Sequence, residues 1–314
     1  MKTTTLALAA ILAALFAASA AAQDKAPPKD LVLTGDARCT RCHDENDDYP
    51  VLAIGKTKHG TRADARTPTC TSCHGQSETH VNKPANATER PKPDRYFAKN
   101  SKVPPEERNQ ACLACHQGGK RTHWQMSAHA SRDVTCASCH TVHAGQDPVR
   151  VKLTQPDVCF QCHKQQRAEI RRPSRHPTLE GKVVCSDCHN PHGTAGEKQL
   201  ARDSVNETCY TCHMEKRGPF VRTHQPVQEN CAICHNPHGS VNDNLLRTRA
   251  PFLCQSCHEP TSHRGNVAGV TGGSNASNSS GIGITLARAC LNCHTNIHGT
   301  NNPKDVTNER TFRR

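Results

Sequence analysis

Cysteine spacing is the feature that most constrains this chain. All 20 cysteines fall into ten C-x-x-C pairs, and a histidine follows each pair at once. Disulfide frameworks are common in cysteine-rich chains, and C-x-x-C pairs also bind zinc, but neither needs a histidine at the fifth position every time. The motifs, numbered here in chain order, are CTRCH (39–43), CTSCH (70–74), CLACH (112–116), CASCH (136–140), CFQCH (159–163), CSDCH (185–189), CYTCH (209–213), CAICH (231–235), CQSCH (254–258) and CLNCH (290–294).

This spacing is typical of c-type haem attachment. Two thiols one turn apart form thioethers to one porphyrin, while the adjacent imidazole reaches its iron, so the sequence predicts ten covalently bound c-type haems. The attachment residues are Cys39, Cys42, Cys70, Cys73, Cys112, Cys115, Cys136, Cys139, Cys159, Cys162, Cys185, Cys188, Cys209, Cys212, Cys231, Cys234, Cys254, Cys257, Cys290 and Cys293. The proximal axial ligands are His43, His74, His116, His140, His163, His189, His213, His235, His258 and His294.

The other histidines follow an internal repeat. Removing the ten proximal histidines from 21 leaves 11. A motif without extra histidines alternates with a motif that has one on each side, which gives five two-haem units with two spare histidines each. The predicted distal axial ligands are His59, His80, His129, His143, His176, His192, His224, His238, His263 and His298.

The histidine left over lies in GGKRTHWQMSAHA. We assign the ligand role to His129, because it precedes its motif by seven residues, as His224 does. His123 is then a packing or surface residue. The alternative is that His123 binds iron and that His263 or His80 does not.

Methionine, the other common axial ligand of c-type haems, is scarce. The mature chain has only Met126 and Met214, and the latter directly follows a proximal histidine. The sequence therefore predicts bis-histidine iron throughout, with comparatively low potentials. Because no iron is left open for a substrate, electron transfer is favoured over catalysis; a multihaem reductase with one open haem is the alternative from a different class.

Composition predicts an unusual core. Only 34% of residues are apolar and 3% aromatic, which is too little for an ordinary globular interior. We expect a mostly irregular fold with short α-helices and little or no β-sheet, an elongated multihaem cytochrome c rod whose haems form the core. The segments PDVCFQCHKQQRAEIRR and SVNETCYTCHMEKRG favour helices, the second with a capping box from Ser204 to Glu207.

Charge and the N-terminus indicate where the chain acts. Residues 1–22 have Lys2, an apolar stretch from Leu6 to Phe16 and a run of small residues, which predicts a secretory signal peptide and export. The formal charge is +12, but Lys and Arg are spread along the chain and haem propionates would offset them. We therefore expect no nucleic-acid partner.

The signal peptide, the ten motifs and the repeated CHNPHG element together resemble the periplasmic decahaem cytochromes of the MtrA/DmsE type, including the MtoA and PioA branch. The resemblance implies two pentahaem halves, residues 23–165 and 166–314, in a rod threaded into an outer-membrane β-barrel porin. It implies electron flow between periplasm and cell exterior, as in iron oxidation or metal reduction. Implied partners are the porin, a periplasmic or inner-membrane quinol-linked cytochrome and an extracellular multihaem cytochrome.

Two features depart from this resemblance. The two-haem repeat does not coincide with a five-plus-five division, since it divides the chain between haems four and five. The segment 264–285, rich in Gly, Ser and Asn, lies before the tenth motif and is either a linker or a loop shaped by a partner. A periplasmic shuttle that diffuses freely to a reductase is the alternative function. Within CSDCHNPHG, His192 is too close to His189 to reach the opposite face of the same haem, so His192, like His143 and His238, is predicted to bind a neighbouring iron.

Overall fold

Short helices joined by turns make up the chain. The computed structural model describes residues 36–61, 63–64, 66–258 and 290–301, so the signal peptide, His263 and the segment 264–285 lie outside the described residues. The α-helices are Ala37–Thr40, Cys70–His74, Glu78–Val81, Pro105–Leu113, Gln155–Cys159, Lys164–Glu169, Cys185–Cys188, Val205–Tyr210, Gln225–Glu229, Phe252–Gln255 and Cys290–Cys293. The 3-10 helices are Val51–Lys56, Gly119–Arg121, Trp124–Met126, Ala130–Arg132, Cys136–Ser138, Pro148–Arg150, Glu197–Gln199, Met214–Lys216, Cys231–Ile233 and Asp243–Leu245.

Extended pairing is confined to isolated bridges in the described part of the chain. These are Ser174 with Ser240, His189 with Leu200, Arg222 with Thr300, and His235 with Leu246. The predicted fold class, mostly irregular with short α-helices and without a sheet, is thereby confirmed. No helix within the described ranges is long and apolar enough to cross a membrane.

The described residues form two compact units. Unit 1 consists of those within Met1–Cys112 together with Thr141–Asp147. Unit 2 consists of those within Leu113–His140 together with Pro148–Arg314. The boundary between these units differs from the boundary expected between the two pentahaem halves. The halves describe a grouping of haems and stay a prediction.

Few large apolar side chains are buried. Within the described residues they are Trp124, Phe160, Ile170, Val184, Leu200 and Tyr210, all in unit 2. More buried residues are polar or charged, whereas Val221 and Val241 are about three-quarters exposed, at 75% and 74%. Amino-acid side chains alone therefore supply a sparse core, as the composition predicts.

The helices that carry motifs end inside them or at their last residue. Ser204 caps Val205–Tyr210 by accepting a hydrogen bond from the Glu207 backbone N–H at 3.1 Å, which is the serine half of the predicted capping box. The segment 156–172 forms two helices rather than one, Gln155–Cys159 and Lys164–Glu169. His163 between them has φ −82° and ψ 65°, outside the helical region, so the chain turns where the imidazole must leave the helix.

Candidate haem-binding sites

Predicted proximal and distal histidines face one another in pairs. The pairs are His43 with His80, His74 with His143, His163 with His129, His140 with His192, His189 with His238, His213 with His176, His235 with His298, and His258 with His224. Their ring centroids are 6.0–6.4 Å apart. Each pair joins one motif histidine to one histidine outside the motifs.

The spacing fits two axial ligands of one metal. A metal–imidazole bond is about 2 Å long and the ring nitrogen lies roughly 1 Å from its centroid, so centroids roughly 6 Å apart are expected. The interplanar angle varies from 7° in His140–His192 to 86° in His129–His163 while the distance hardly changes. Direct ring stacking would couple angle to distance. Two rings that each point a nitrogen at one metal position between them would keep this distance at any interplanar angle.

The second ring nitrogen is engaged in most pairs. Nδ1 lies 2.7–2.9 Å from a backbone carbonyl oxygen in His74, His80, His129, His143, His176, His189 and His235. If Nδ1 donates its proton there, Nε2 carries the free lone pair. This arrangement would fix the tautomer and leave Nε2 as the nitrogen available to a metal.

Burial keeps several of these imidazoles neutral. It is the main cause that lowers the pKa of His74, His163, His192, His224, His238 and His298. For His192 the pKa falls to about 4, with His140 and Arg121 adding to the effect of burial. A neutral imidazole is the form that binds a metal.

The order of the pairs along the chain is regular. Histidines three or four residues after the fourth, sixth, eighth and tenth motifs face the histidine of the motif two places earlier. These are His143 with His74, His192 with His140, His238 with His189, and His298 with His235. Histidines that precede the fourth, sixth and eighth motifs face the histidines of the fifth, seventh and ninth motifs. These pairs are His129 with His163, His176 with His213, and His224 with His258.

The two NPHG turns each hold histidines that pair with the histidines of two different motifs. The Pro191 carbonyl accepts from His129 Nδ1 at 2.7 Å, and His192 follows it directly. In the second copy the Pro237 carbonyl lies 2.9 Å from His176 Nδ1, and His238 follows. Each turn therefore places one histidine itself and orients a second through its proline carbonyl.

Glycine closes each turn because no other residue fits. Gly193 has φ +102° and Gly239 has φ +140°, values that residues with a Cβ rarely adopt. A Cβ on Gly193 would lie 2.5 Å from the His123 carbonyl oxygen, and one on Gly239 would overlap that of Glu169. The backbone thus packs directly against these turns.

The histidines of the sixth and eighth motifs are oriented by equivalent hydrogen bonds to backbone carbonyls. His189 Nδ1 and His235 Nδ1 lie 2.9 and 2.8 Å from the carbonyls of Lys198 and Asn244. Both acceptor residues have left-handed backbones, with φ 51° and 55°. The same nine-residue offset in both places indicates one repeated element.

Attachment thiols of successive motifs lie near one another. In unit 2 the interacting thiols are Cys139 with Cys159, Cys159 with Cys185, Cys188 with Cys212, Cys209 with Cys231, Cys234 with Cys257, and Cys254 with Cys290. In unit 1 they are Cys39 with Cys70. Three of these six pairs are hydrogen-bonded, namely Cys159 with Cys185, Cys209 with Cys231, and Cys254 with Cys290, and the other three interact electrostatically. From the fourth motif to the tenth, each motif is therefore near the next one along the chain.

Buried polar residues tie neighbouring motifs together, and sequence reasoning missed them. Asn206, three residues before the seventh motif, accepts from the Cys231 N–H at 2.7 Å and donates to the carbonyls of Val227 and Gln228 at 2.9 and 3.0 Å. Gln155 accepts from Ser186 N–H at 3.0 Å. The recurrence of a polar residue three or four positions before a motif was the available signal.

Asp36 plays the corresponding part in unit 1. Its carboxylate accepts from the Cys70 N–H at 2.7 Å, and the side chain is 2% exposed. A carboxylate oxygen and the sulfurs of Cys39 and Cys70 all lie within 4.8 Å of one another. Since both sulfurs belong to haem-attachment motifs, we do not interpret this group as a separate metal site.

The remaining predicted ligands and the competing histidine are placed as follows. His59, His116 and His294 each make contacts within the structure, and their ligand roles stay predictions, as does that of His263. His129 lies opposite His163, whereas the His123 backbone begins the 3-10 helix Trp124–Met126. Met126 and Met214 are 81% and 58% exposed.

Paired C-x-x-C-H histidines in a mostly irregular fold define a multihaem c-type cytochrome. The chain is 44% identical over 271 residues to the multiheme cytochrome MtrA of Shewanella baltica (strain OS185), an alignment that covers 84% of this chain and 78% of the relative. The chain belongs to the MtrA family of multihaem cytochromes, and it is an electron-transfer protein with covalently bound c-type haems.

Other comparisons agree with this class. A family model described as a doubled CXXCH motif matches residues 176–218 and 224–263, and a model of NrfB-like c-type cytochromes matches 70–154. The cytochrome c-type protein NrfB of Haemophilus influenzae is 32% identical over 165 residues, covering 46% of this chain and 70% of the relative. NrfB of Escherichia coli O6:H1 is 29% identical, covering 46% and 74%.

Proposed function

We propose that this chain carries electrons along a row of ten bis-histidine haems between the periplasm and the cell exterior. The observation that carries the proposal is the set of eight facing imidazole pairs at 6.0–6.4 Å. When bound, each haem supplies an iron that accepts and releases one electron without covalent change. Histidines of the chain would hold both axial positions, so substrates would have no access to the iron. Because the ligands would not change on oxidation or reduction, the reorganisation energy of electron transfer would be small.

The thiol contacts support a continuous path. Thiols of successive attachment motifs interact from the fourth to the tenth in unit 2. Because thiols of neighbouring motifs are near enough to interact, we expect the porphyrins attached to them to be close as well. Proximity of this kind is what stepwise electron transfer requires.

The ligand set of the proposal is the predicted one. The proximal ligands are the ten motif histidines, and the distal ligands are His59, His80, His129, His143, His176, His192, His224, His238, His263 and His298. His123 is outside the set. Under this assignment every CHxxH element links two haems, since its two histidines serve different irons.

Passage through an outer-membrane β-barrel rests on membership of the MtrA family. We infer that the exported chain lies on the periplasmic side and enters a porin partner, with a periplasmic or inner-membrane cytochrome at one end and an extracellular multihaem cytochrome at the other. The alignment with the Shewanella relative over 84% of this chain supports transfer of this arrangement. Either direction of electron flow is compatible with it.

Co-purification and a vesicle assay test the conduit. A tagged chain expressed in its native host is expected to be recovered from detergent-solubilised outer membranes with a stoichiometric β-barrel. When that complex is reconstituted into vesicles, it should transfer electrons from external dithionite to an enclosed dye. Recovery of the haem protein from the soluble periplasm without a barrel would favour the freely diffusing shuttle instead.

Carbon monoxide addresses the enzyme alternative. Fully bis-histidine iron binds this ligand slowly or not at all, since both axial positions are filled. Rapid binding to the dithionite-reduced protein at one haem per chain would indicate a reductase with an open iron.

A further inference from the structure

The acceptors of the axial histidines differ in charge. Seven of the sixteen paired histidines present Nδ1 to a neutral backbone carbonyl. His43 Nδ1 instead lies 2.7 Å from the Asp47 carboxylate, closer than His238 Nδ1 is to Glu169 (3.5 Å) or His213 Nδ1 to Glu215 (3.7 Å). The partner ring of His43, His80, bonds to the Pro91 carbonyl at 2.7 Å. The first motif therefore has one carboxylate acceptor on its ligand pair.

The second motif provides the neutral comparison within unit 1. His74 and His143 bond to the carbonyls of Arg95 and Val51 at 2.8 and 2.7 Å. Neither has a carboxylate at Nδ1. The haems of the first and second motifs thus differ in the electrostatics of their ligands.

A second carboxylate lies beside the first motif. Asp36 is 2% exposed, and its oxygen is within 4.8 Å of the Cys39 and Cys70 sulfurs. In unit 2 the equivalent side chains, Gln155 and Asn206, are neutral amides. The buried negative charge is therefore particular to the first pair of motifs among these three.

Both carboxylates act in the same direction. An anionic acceptor at Nδ1 draws the imidazole proton toward itself and makes Nε2 a stronger electron donor, which favours ferric over ferrous iron. A buried negative charge near the ring stabilises the more positive oxidation state through space, and low dielectric strengthens that effect. The two contributions add.

We propose that Asp47 is a positioning residue that lowers the reduction potential of the haem of the first motif, and that Asp36, which lies between the first and second motifs, lowers the potentials of both haems of that pair. The inference rests on the proposed function, in which His43 and His80 are its axial ligands. With a neutral ligand environment on the second motif, electrons placed on the first haem pass to the second downhill. This end of the chain is therefore suited to donate electrons into the row rather than to retain them.

The test compares four substitutions in the full-length haem-loaded protein, three in the acidic segment and Asp36→Asn. Asp47→Asn removes the charge but keeps an oxygen acceptor, and Asp47→Glu keeps the carboxylate. Asp48→Asn is the matched control. Asp48 is exposed and lies in the same acidic segment, and its substitution removes the same charge. The measurement is a redox titration of the low-spin signals by electron paramagnetic resonance.

Asp47→Asn is expected to shift the ferric–ferrous equilibrium of one haem about tenfold toward ferrous, which is about 59 mV for a one-electron couple. Asp47→Glu should resemble the wild type, and Asp48→Asn should move no haem by this amount. Asp36→Asn, which keeps the acceptor for the Cys70 N–H, should also raise the potential of a haem in the first pair.

Different results overturn different statements. Unchanged titrations for both Asp47→Asn and Asp36→Asn, with all iron still low-spin, contradict this inference and leave the proposed function standing. Equal shifts in Asp47→Asn and Asp48→Asn also contradict it, because net charge rather than ligand hydrogen bonding would then be responsible. Failure of His43→Ala to create high-spin iron contradicts the ligand assignment itself, and hence the proposed function.

Discussion

His192 lies opposite His140, with ring centroids 6.1 Å apart and planes 7° from parallel. His192 follows the sixth motif by three residues, whereas His140 belongs to the fourth. The pair therefore crosses from one motif to another, and the buried Trp124 ring lies 6.2 Å from His192 beside it. His192 is close in sequence to the sixth motif, but it pairs in space with the histidine of the fourth.

Removing His192 should disturb the haem of the fourth motif and spare that of the sixth. We expect His192→Ala to convert one haem per chain to high-spin iron, visible in the oxidised absorption and paramagnetic resonance spectra, because one axial position loses its ligand.

The affected haem can be located by background substitutions. If Cys136 and Cys139 are both serine, the fourth haem is not attached and His192→Ala should add no high-spin iron. In a Cys185→Ser, Cys188→Ser background the high-spin signal should persist. The reverse pattern contradicts the pairing.

His129→Ala and His123→Ala make a second contrast. His129 faces His163 at 6.1 Å and has its Nδ1 2.7 Å from the Pro191 carbonyl. We expect high-spin iron in the His129 variant and an unchanged spectrum in the His123 variant. High-spin iron in the His123 variant alone would reverse the assignment.

Much of the site could be predicted from sequence because covalent attachment fixes local spacing. The motif gives the thiols and the proximal histidine within five residues, and the short helices follow from the composition. The pairing of rings could not be predicted, since His192 and His140 are 52 positions apart in sequence and nothing local specifies which motif a distal histidine reaches.

The polar residues between motifs show a different limit. Asn206 and Asp36 each occupy the position three residues before a motif, so the repeat was visible. Their role depends on burial and on the partner N–H groups of Cys231 and Cys70, which lie 25 and 34 residues away. Sequence periodicity alone does not supply those contacts.

Gly239→Ala should be strongly destabilising. The residue has φ +140°, and a Cβ would overlap the Glu169 carbonyl, so strain and overpacking together should cost about 3 kcal/mol. Gly118→Ala is the control, because Gly118 also has a positive φ, +72°, but nothing lies within 4 Å of a Cβ, so that it should cost only the backbone strain, about 1–2 kcal/mol. Guanidinium denaturation compares them; equal losses would mean that close packing at Gly239 is unimportant.

Asn206→Ala should loosen the junction between the seventh and eighth motifs. Three hydrogen bonds of 2.7–3.0 Å are lost from a side chain that is 7% exposed, a loss of about 3 kcal/mol in unfolding free energy. Asn206→Asp keeps the acceptor for the Cys231 N–H and should lose less. Amide hydrogen exchange at residues 227–231 provides the measurement, and unchanged protection in Asn206→Ala would show that the junction does not depend on this side chain.

The most direct test of the account is the spin state of all iron in the oxidised full-length protein. Paramagnetic resonance, quantified against total iron and covalently bound haem per chain, should give ten haems, all low-spin, as expected for bis-histidine coordination at every motif. Fewer than ten haems, or a high-spin signal equal to one or more haems per chain, would contradict it.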